Sequence, residues 1–201
     1  MIVRQLPVGP MQNFVYLLAD ESSREGLVVD SGWEIEPILK AVAEEKVRVL
    51  YVVATHNHFD HVASIQDLAD ALGARVVAYA DSPTPHDISV RDGDTLRLGN
   101  REVRVLATPG HSEDGICLYD GENLFTGDTL FMGNCGRVDL AGGSAEKLFD
   151  SLHNVIMKLP PGTMIYPGHD YGDVPSRTLE KEKKVNIVLN ASRFDEFFEI
   201  E

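Results

Sequence analysis

Six consecutive positions of this chain hold three imidazoles and a carboxylate: His56, His58, Asp60 and His61, in the run Thr55-His56-Asn57-His58-Phe59-Asp60-His61. Seven histidines scattered evenly over 201 residues would put about 0.2 in any six-residue window. Neutral imidazole nitrogens and carboxylate oxygens suit zinc, iron or manganese. His56 and His58 stand two apart, and an extended chain turns such a pair to the same side. Asp60 and His61 fall in the first turn of a following helix and can face a second position nearby. A lone histidine is more often a surface or core residue than a ligand, but a cluster this dense reads as a metal site.

Three further ligand types follow strand-like runs and a glycine. They are His111 in Thr108-Pro109-Gly110-His111, Asp128 in Thr126-Gly127-Asp128-Thr129, and His169 in Pro167-Gly168-His169-Asp170. Glycine lets the backbone turn sharply and approach closely at a strand end. One such unit carries little, whereas three after a histidine-rich run form a constellation. His86 and His153 lack this context and are read as structural or surface residues. Cys135 is read as a loop packing residue.

These groups need a scaffold of strands with helices between them. Ile2 to Val8, Phe14 to Leu18 and Leu27 to Val29 read as strands, and Glu36 to Lys46 as a helix with Pro37 in its first turn. Val47 to Ala54 is an apolar, β-branched run typical of a strand covered on both faces. Apolar residues from His61 to Leu72 repeat at helical spacing before Gly73, and Arg75 to Ala80 is a strand. Further strands are expected at Leu96 to Leu98, Glu102 to Ala107, Ile116 to Tyr119, Leu124 to Thr126 and Thr163 to Tyr166. Ser144 can cap a helix to about Leu159, Thr178 to Leu189 reads as a charged helix, and Ala191 to Glu201 as a short packing helix. Two successive strand sets with helices suit either a doubly wound sheet or a four-layer αββα sandwich, and periodicity does not choose between them.

Length and composition suit one domain over residues 1–201, ending in a short helical tail from about residue 176. Two cysteines, Cys117 and Cys135, give no disulfide framework, and no signal or membrane-spanning run is evident, so a reducing cytoplasmic setting is expected. The net charge of −14 repels phosphate backbones, which argues against nucleic-acid partners. A small part of that excess can offset bound cations.

The pattern His56-x-His58-x-Asp60-His61, then His111, Asp128 and His169, resembles the signature of the metallo-β-lactamase superfamily. Order and spacing are most similar to its glyoxalase II and persulfide dioxygenase branch. The resemblance spans nearly the whole chain, from Asp30-Ser31-Gly32 to the helix after Tyr171, and implies the four-layer αββα sandwich with its site at the edge of the two sheets. Carried over by position, it places one metal on His56, His58 and His111, and a second on Asp60, His61 and His169, with Asp128 bridging. The implied cofactor is a pair of divalent ions, zinc with iron or manganese as alternatives. The implied chemistry is hydrolysis of a thioester or related ester by a water whose pKa the metals lower to roughly 7. Asp60 and Asp128 are then the catalytic carboxylates, Asp60 also orienting the attacking hydroxide. Asp30 is the family's candidate for fixing a ligating histidine, although a strand-end turn aspartate explains it equally well. No Gly-x-Ser-x-Gly elbow occurs, so no serine nucleophile is read.

By the same resemblance Arg137 contacts an anionic group of a small thioester or thiol-derived substrate; a surface ion pair is the alternative. Asp139 stands where glyoxalase II has an aromatic residue. The 32 residues after His169 are fewer than its C-terminal helical domain requires. Cys135-Gly136-Arg137-Val138-Asp139, and the stretch from Leu148 to Tyr171, are closer to persulfide dioxygenases. Those use a single iron on two histidines and an aspartate, here His56 or His58 with His111 and Asp128, acting on glutathione persulfide or a similar persulfide. A non-catalytic binding protein of the same fold is the third reading, and complete ligands argue against it.

Overall fold

The computed structural model describes residues 1–199. Ile200 and Glu201, included in the expected tail helix, lie outside the described residues. The first sheet runs in chain order: β1 (Ile2–Val8), β2 (Asn13–Ala19), β3 (Glu25–Val29), β4 (Arg48–Val53), β5 (Arg75–Tyr79) and β6 (Ile88–Val90). Its first three strands are antiparallel and β3 through β6 are parallel. The second sheet contains β7 (Thr95–Leu98), β8 (Arg101–Ala107), β9 (Ile116–Tyr119), β10 (Asn123–Gly127), β11 (Met164–Pro167) and β12 (Arg177–Thr178), again in spatial sequence. Only β10 and β11 pair in parallel within it.

Strand β2 shows how the layers form. Every residue of it is buried, because its alternating side chains serve two cores. Phe14, Tyr16 and Leu18 point between the sheets, among Val103, Val105 and Phe125. Val15, Leu17 and Ala19 point outward against Ile38, Ala41 and Val42 of helix α1 (Glu36–Glu45). Beyond the second sheet, Leu148 of helix α4 (Ala145–Asp150) packs with Leu106, Cys117 and Leu124. Helix, sheet, sheet, helix is the αββα sandwich expected from the sequence.

Three helices expected to be continuous are not. The stretch after His58 forms α2 (Phe59–Val62) and α3 (Ile65–Leu72). The cause is the His61 carbonyl, which accepts from the Ser31 and Gly32 amides at 2.9 and 3.3 Å. It is thus diverted from the helical ladder. The charged helix divides into α5 (Leu179–Val185) and α6 (Ile187–Asn190) at Asn186. That side chain leaves the helical path and caps α6 by accepting from the Val188 and Leu189 amides. Ser144 does cap α4, accepting from the Lys147 amide, but α geometry gives way at Ser151 to a π turn and then a 3-10 turn ending at Lys158. The tail closes with α7 (Phe194–Phe198). Strands β6 and β12 were not anticipated; they are short and lack an apolar run. No described helix is long and apolar enough to cross a membrane.

Candidate metal centre

Loops following β3, β4, β8, β10 and β11 meet at one edge of the sandwich. They bring together all seven residues singled out as ligands. His56 and His58 leave β4, Asp60 and His61 occupy α2, and His111, Asp128 and His169 follow the other strand ends. His58 Nδ1 lies 3.1 Å from His56 Nε2 and 2.9 Å from His111 Nε2. Beside that trio, His61 Nε2 is 3.1 Å from His169 Nε2, and Asp60 Oδ2 is 3.4 and 3.3 Å from those two nitrogens. Asp128 stands between the groups: Oδ2 lies 3.6 Å from His111 Nε2 and 3.3 Å from His169 Nε2, and Oδ1 lies 3.3 Å from His61 Nε2.

Donors around a tetrahedral cation with bonds of about 2.0–2.1 Å sit roughly 3.3 Å apart, and these separations bracket that value. Three groups are compact enough to hold an ion: His56, His58 and His111; His56, His61 and Asp128; and Asp60, His61 and His169. Asp128 Oδ1 is buried without a hydrogen-bond partner among the described residues, an open valence that a cation would fill. The donor set therefore fits divalent metal.

The outer nitrogens explain why the inner ones are available. His111 Nδ1 donates to the Arg137 carbonyl at 2.7 Å and His169 Nδ1 to the Met11 carbonyl at 2.9 Å. A carbonyl only accepts, so each imidazole carries a proton on Nδ1, which leaves Nε2 as the nitrogen facing inward. His61 Nδ1 is held by Asp30 Oδ2 at 2.8 Å. Asp30 also accepts from the Thr55 amide and hydroxyl, at 2.8 and 2.9 Å, tying the ends of β3 and β4 together. With its proton committed to Asp30, the Thr55 hydroxyl accepts from His56 Nδ1 at 3.1 Å. Asp30 sits at φ +61°, a conformation unusual for a non-glycine residue and often retained where function needs it. Asp30 thus contacts His61, one of the residues singled out as a ligand.

Backbone approach around Asp128 requires glycine. At Gly168 a Cβ would fall 2.3 Å from Asp128 Oδ1, and at Gly136 it would fall 2.0 Å from the Asp128 carbonyl.

Without a cation the cluster is an ionic network. Burial raises the Asp128 carboxyl, but the charge of His61 and a bond from His169 prevail and hold it well below the usual range. Asp60 behaves alike: burial raises it, and His169, His61 and Asn13 bring it down. Burial lowers His169, yet bonds to Asp128 and Asp60 lift it to about 9. His61 is likewise raised above its usual value, Asp128 and Asp30 overcoming burial. His56 is depressed by burial and by His61, and His58 by burial and by His111. His56 and His58 thus favour neutral imidazole, the form that binds metal.

The centre opens into a cleft of about 830 Å3. Met11, Phe59, Phe131, Met132, Leu140 and Tyr171 give it apolar walls, and Arg137 also lines it. Arg137 meets Asp139 through two bonds of 2.6 Å, Nε to Oδ1 and Nη2 to Oδ2. Cys135 is buried in the same loop, as a packing residue should be. His86 and His153 lie outside the centre, bonded to Thr84 and to Phe149.

Several contributing residues were not singled out from the sequence. Asn13, buried at the start of β2, donates to Asp60 Oδ2 at 2.8 Å. Buried Glu182 accepts from the Gly133 amide at 2.6 Å, from Asn186 at 2.8 Å and from Arg177 at 3.0 Å. Asn186 in turn donates to the Phe131 and Asn134 carbonyls, so α5 and α6 hold the loop that floors the cleft. A polar residue opening an apolar strand was the only sequence signal for Asn13, and charged-helix residues gave none.

The Metallo-beta-lactamase superfamily pattern matches residues 8–169. A probable polyketide biosynthesis zinc-dependent hydrolase, PksB of Bacillus subtilis, is 32% identical over 191 residues, covering 92% of this chain and 85% of that protein. Human mitochondrial persulfide dioxygenase ETHE1 is 36% identical over 203 residues, covering 99% and 80%. A hydroxyacylglutathione hydrolase of Cereibacter sphaeroides is 39% identical over 183 residues, covering 87% and 70%. Among solved structures, ETHE1 from Myxococcus xanthus superimposes with a TM-score of 0.94 at 36% identity, covering 100% of this chain and 89% of that one.

Proposed function

The chain belongs to the Metallo-beta-lactamase superfamily, and we propose that it is a cytoplasmic dinuclear metallohydrolase cleaving a small-molecule thioester or related ester. One observation carries the reading: the second donor group is as fully built as the first. Asp60 is held by Asn13, His61 by Asp30, and His169 by the Met11 carbonyl. Two cations would use all seven donors, although single-iron persulfide dioxygenases retain the same ligand-type residues, so assays of both activities decide between them. The hydrolases among the relatives, one of them zinc-dependent by name, point the same way.

His56, His58 and His111 would hold one ion and Asp60, His61 and His169 the other, with Asp128 between them. Two divalent ions, zinc in this reading, would supply an acidified water and Lewis acidity toward a carbonyl. The protein's own contribution is to fix this geometry. Outer-nitrogen bonds aim four of the five imidazoles, Asp128 spans both groups, and Asp60, locked by Asn13, would orient the attacking water and hold its proton. The apolar walls exclude bulk water and strengthen the electrostatics inside.

Single-iron oxidation of a persulfide is the second reading, favoured by the likeness to ETHE1 over 99% of this chain. Parallel assays on the purified protein separate the two. Hydrolysis of acyl thioesters with no oxygen uptake on glutathione persulfide is expected. Oxygen uptake without thioester cleavage overturns the hydrolase reading.

A further inference from the structure

Four of the eight large hydrophobic residues exposed in the described chain rim this one cleft: Phe59 at 59% exposure, Tyr171 at 55%, Leu140 at 40% and Met11 at 37%. Scattered exposed apolar residues are ordinary, but a cluster around a concave site marks where a ligand's apolar surface is buried. Packing beneath the rim holds it in place. Phe59 meets Trp33 edge-on with centroids 5.0 Å apart, and Tyr171 stacks on His169 at 4.5 Å.

Beyond the ligand-type residues, the cleft offers little to anions. Arg137 is the one lysine or arginine side chain among its lining residues, and Asp139 takes the Nε–Nη2 edge of its guanidinium. A substrate carboxylate would meet a guanidinium whose charge Asp139 already offsets, at an exposed position where an ion pair gains little. The protein's net charge of −14 further opposes a polyanionic substrate.

We infer that the substrate is a thioester whose acyl group is uncharged and several carbons long, laid across Phe59, Leu140, Met11 and Tyr171, and that the Arg137–Asp139 pair selects against multiply anionic thiol conjugates. This rests on the hydrolase reading above. In the reaction, water adds at the acyl carbon and the carbon–sulfur bond breaks; the products are the carboxylic acid and the thiol, with no change of oxidation state.

The test uses the intact metal-loaded protein with N-acetylcysteamine thioesters of acetate, butanoate, hexanoate and octanoate, and with the lactoyl thioester of glutathione. We expect kcat/KM to rise two- to fourfold per methylene up to hexanoate, as burial of apolar surface requires. The hexanoyl thioester should exceed the glutathione thioester at least tenfold. Phe59→Ser and Leu140→Ser should flatten the chain-length slope, mainly through KM. Asp139→Asn should move the selectivity ratio toward the glutathione thioester by severalfold, since it frees Arg137. A flat chain-length profile, or a wild-type preference for the glutathione thioester, overturns this inference while leaving thioester hydrolysis standing. Cleavage of none of these thioesters overturns the hydrolase reading itself.

Discussion

The cage of ligand-type residues and the rim of the cleft above it are neighbours built on opposite terms. In the cage every side chain except His58 is buried, and each histidine other than His58 has its outer nitrogen tied to a named acceptor. Along the rim, Phe59, Leu140, Met11 and Tyr171 are substantially exposed and face the opening. The difference separates two duties. Chemistry demands donors fixed to fractions of an ångström, while recognition of an apolar group asks only for surface of the right kind. Mutations should therefore cost rate in the cage and selectivity at the rim.

The largest expected break of that contrast is Asp128→Ala. Losing the carboxylate that spans both donor groups should lower kcat by two to three decades, since metal-assisted polarisation is worth several kcal/mol. Turnover measured with a single thioester checks it, and a merely shifted KM would contradict the division of duties. Next, Asp30→Asn should weaken metal affinity about ten- to a hundredfold by disturbing His61, in line with the effect of outer partners on metal sites. Chelator competition measures this directly. Glu182→Ala lies outside both regions yet supports the floor between them. It leaves Arg177, Asn186 and the Gly133 amide short of a partner, and should cost about 3 kcal/mol in denaturant unfolding and raise KM.

The smallest effect is one of protons. In the metal-free protein His169 titrates at about 9, because its bonds to Asp128 and Asp60 outweigh its burial. A raised imidazole stabilises the fold fully below its unfolded value of 6.5, and that contribution is lost as the pH rises through about 9. Metal-free protein should thus weaken between those pH values, and metal uptake at neutral pH should expel protons from His169 and His61. Calorimetry in buffers of different ionisation enthalpy reads that release. Uptake with no buffer dependence would contradict it.

What was legible in the sequence follows the same division. That His56, His58, Asp60, His61, His111, Asp128 and His169 gather at one place could be read because ligand chemistry restricts residue type and strand ends restrict position. The strand pattern was also legible, since burial on both faces writes continuous apolar runs such as Phe14 to Leu18. The rim was not legible: Phe59, Leu140 and Met11 are ordinary apolar residues until loops from distant strands gather them. Asn13 and Glu182 escaped notice because their partners lie 47 and 49 residues away. The break between α2 and α3 was hidden for a similar reason, since its cause lies in the Ser31 and Gly32 amides about thirty positions upstream. Helical spacing cannot record a carbonyl captured by another segment.

The central claim is that both donor groups are used. Titrating metal-free protein with zinc while following thioester hydrolysis tests it most directly. The account predicts activity that rises until two equivalents per chain are bound, with Asp60→Asn stopping uptake near one equivalent. Full activity at a single equivalent, with no further binding, would contradict it.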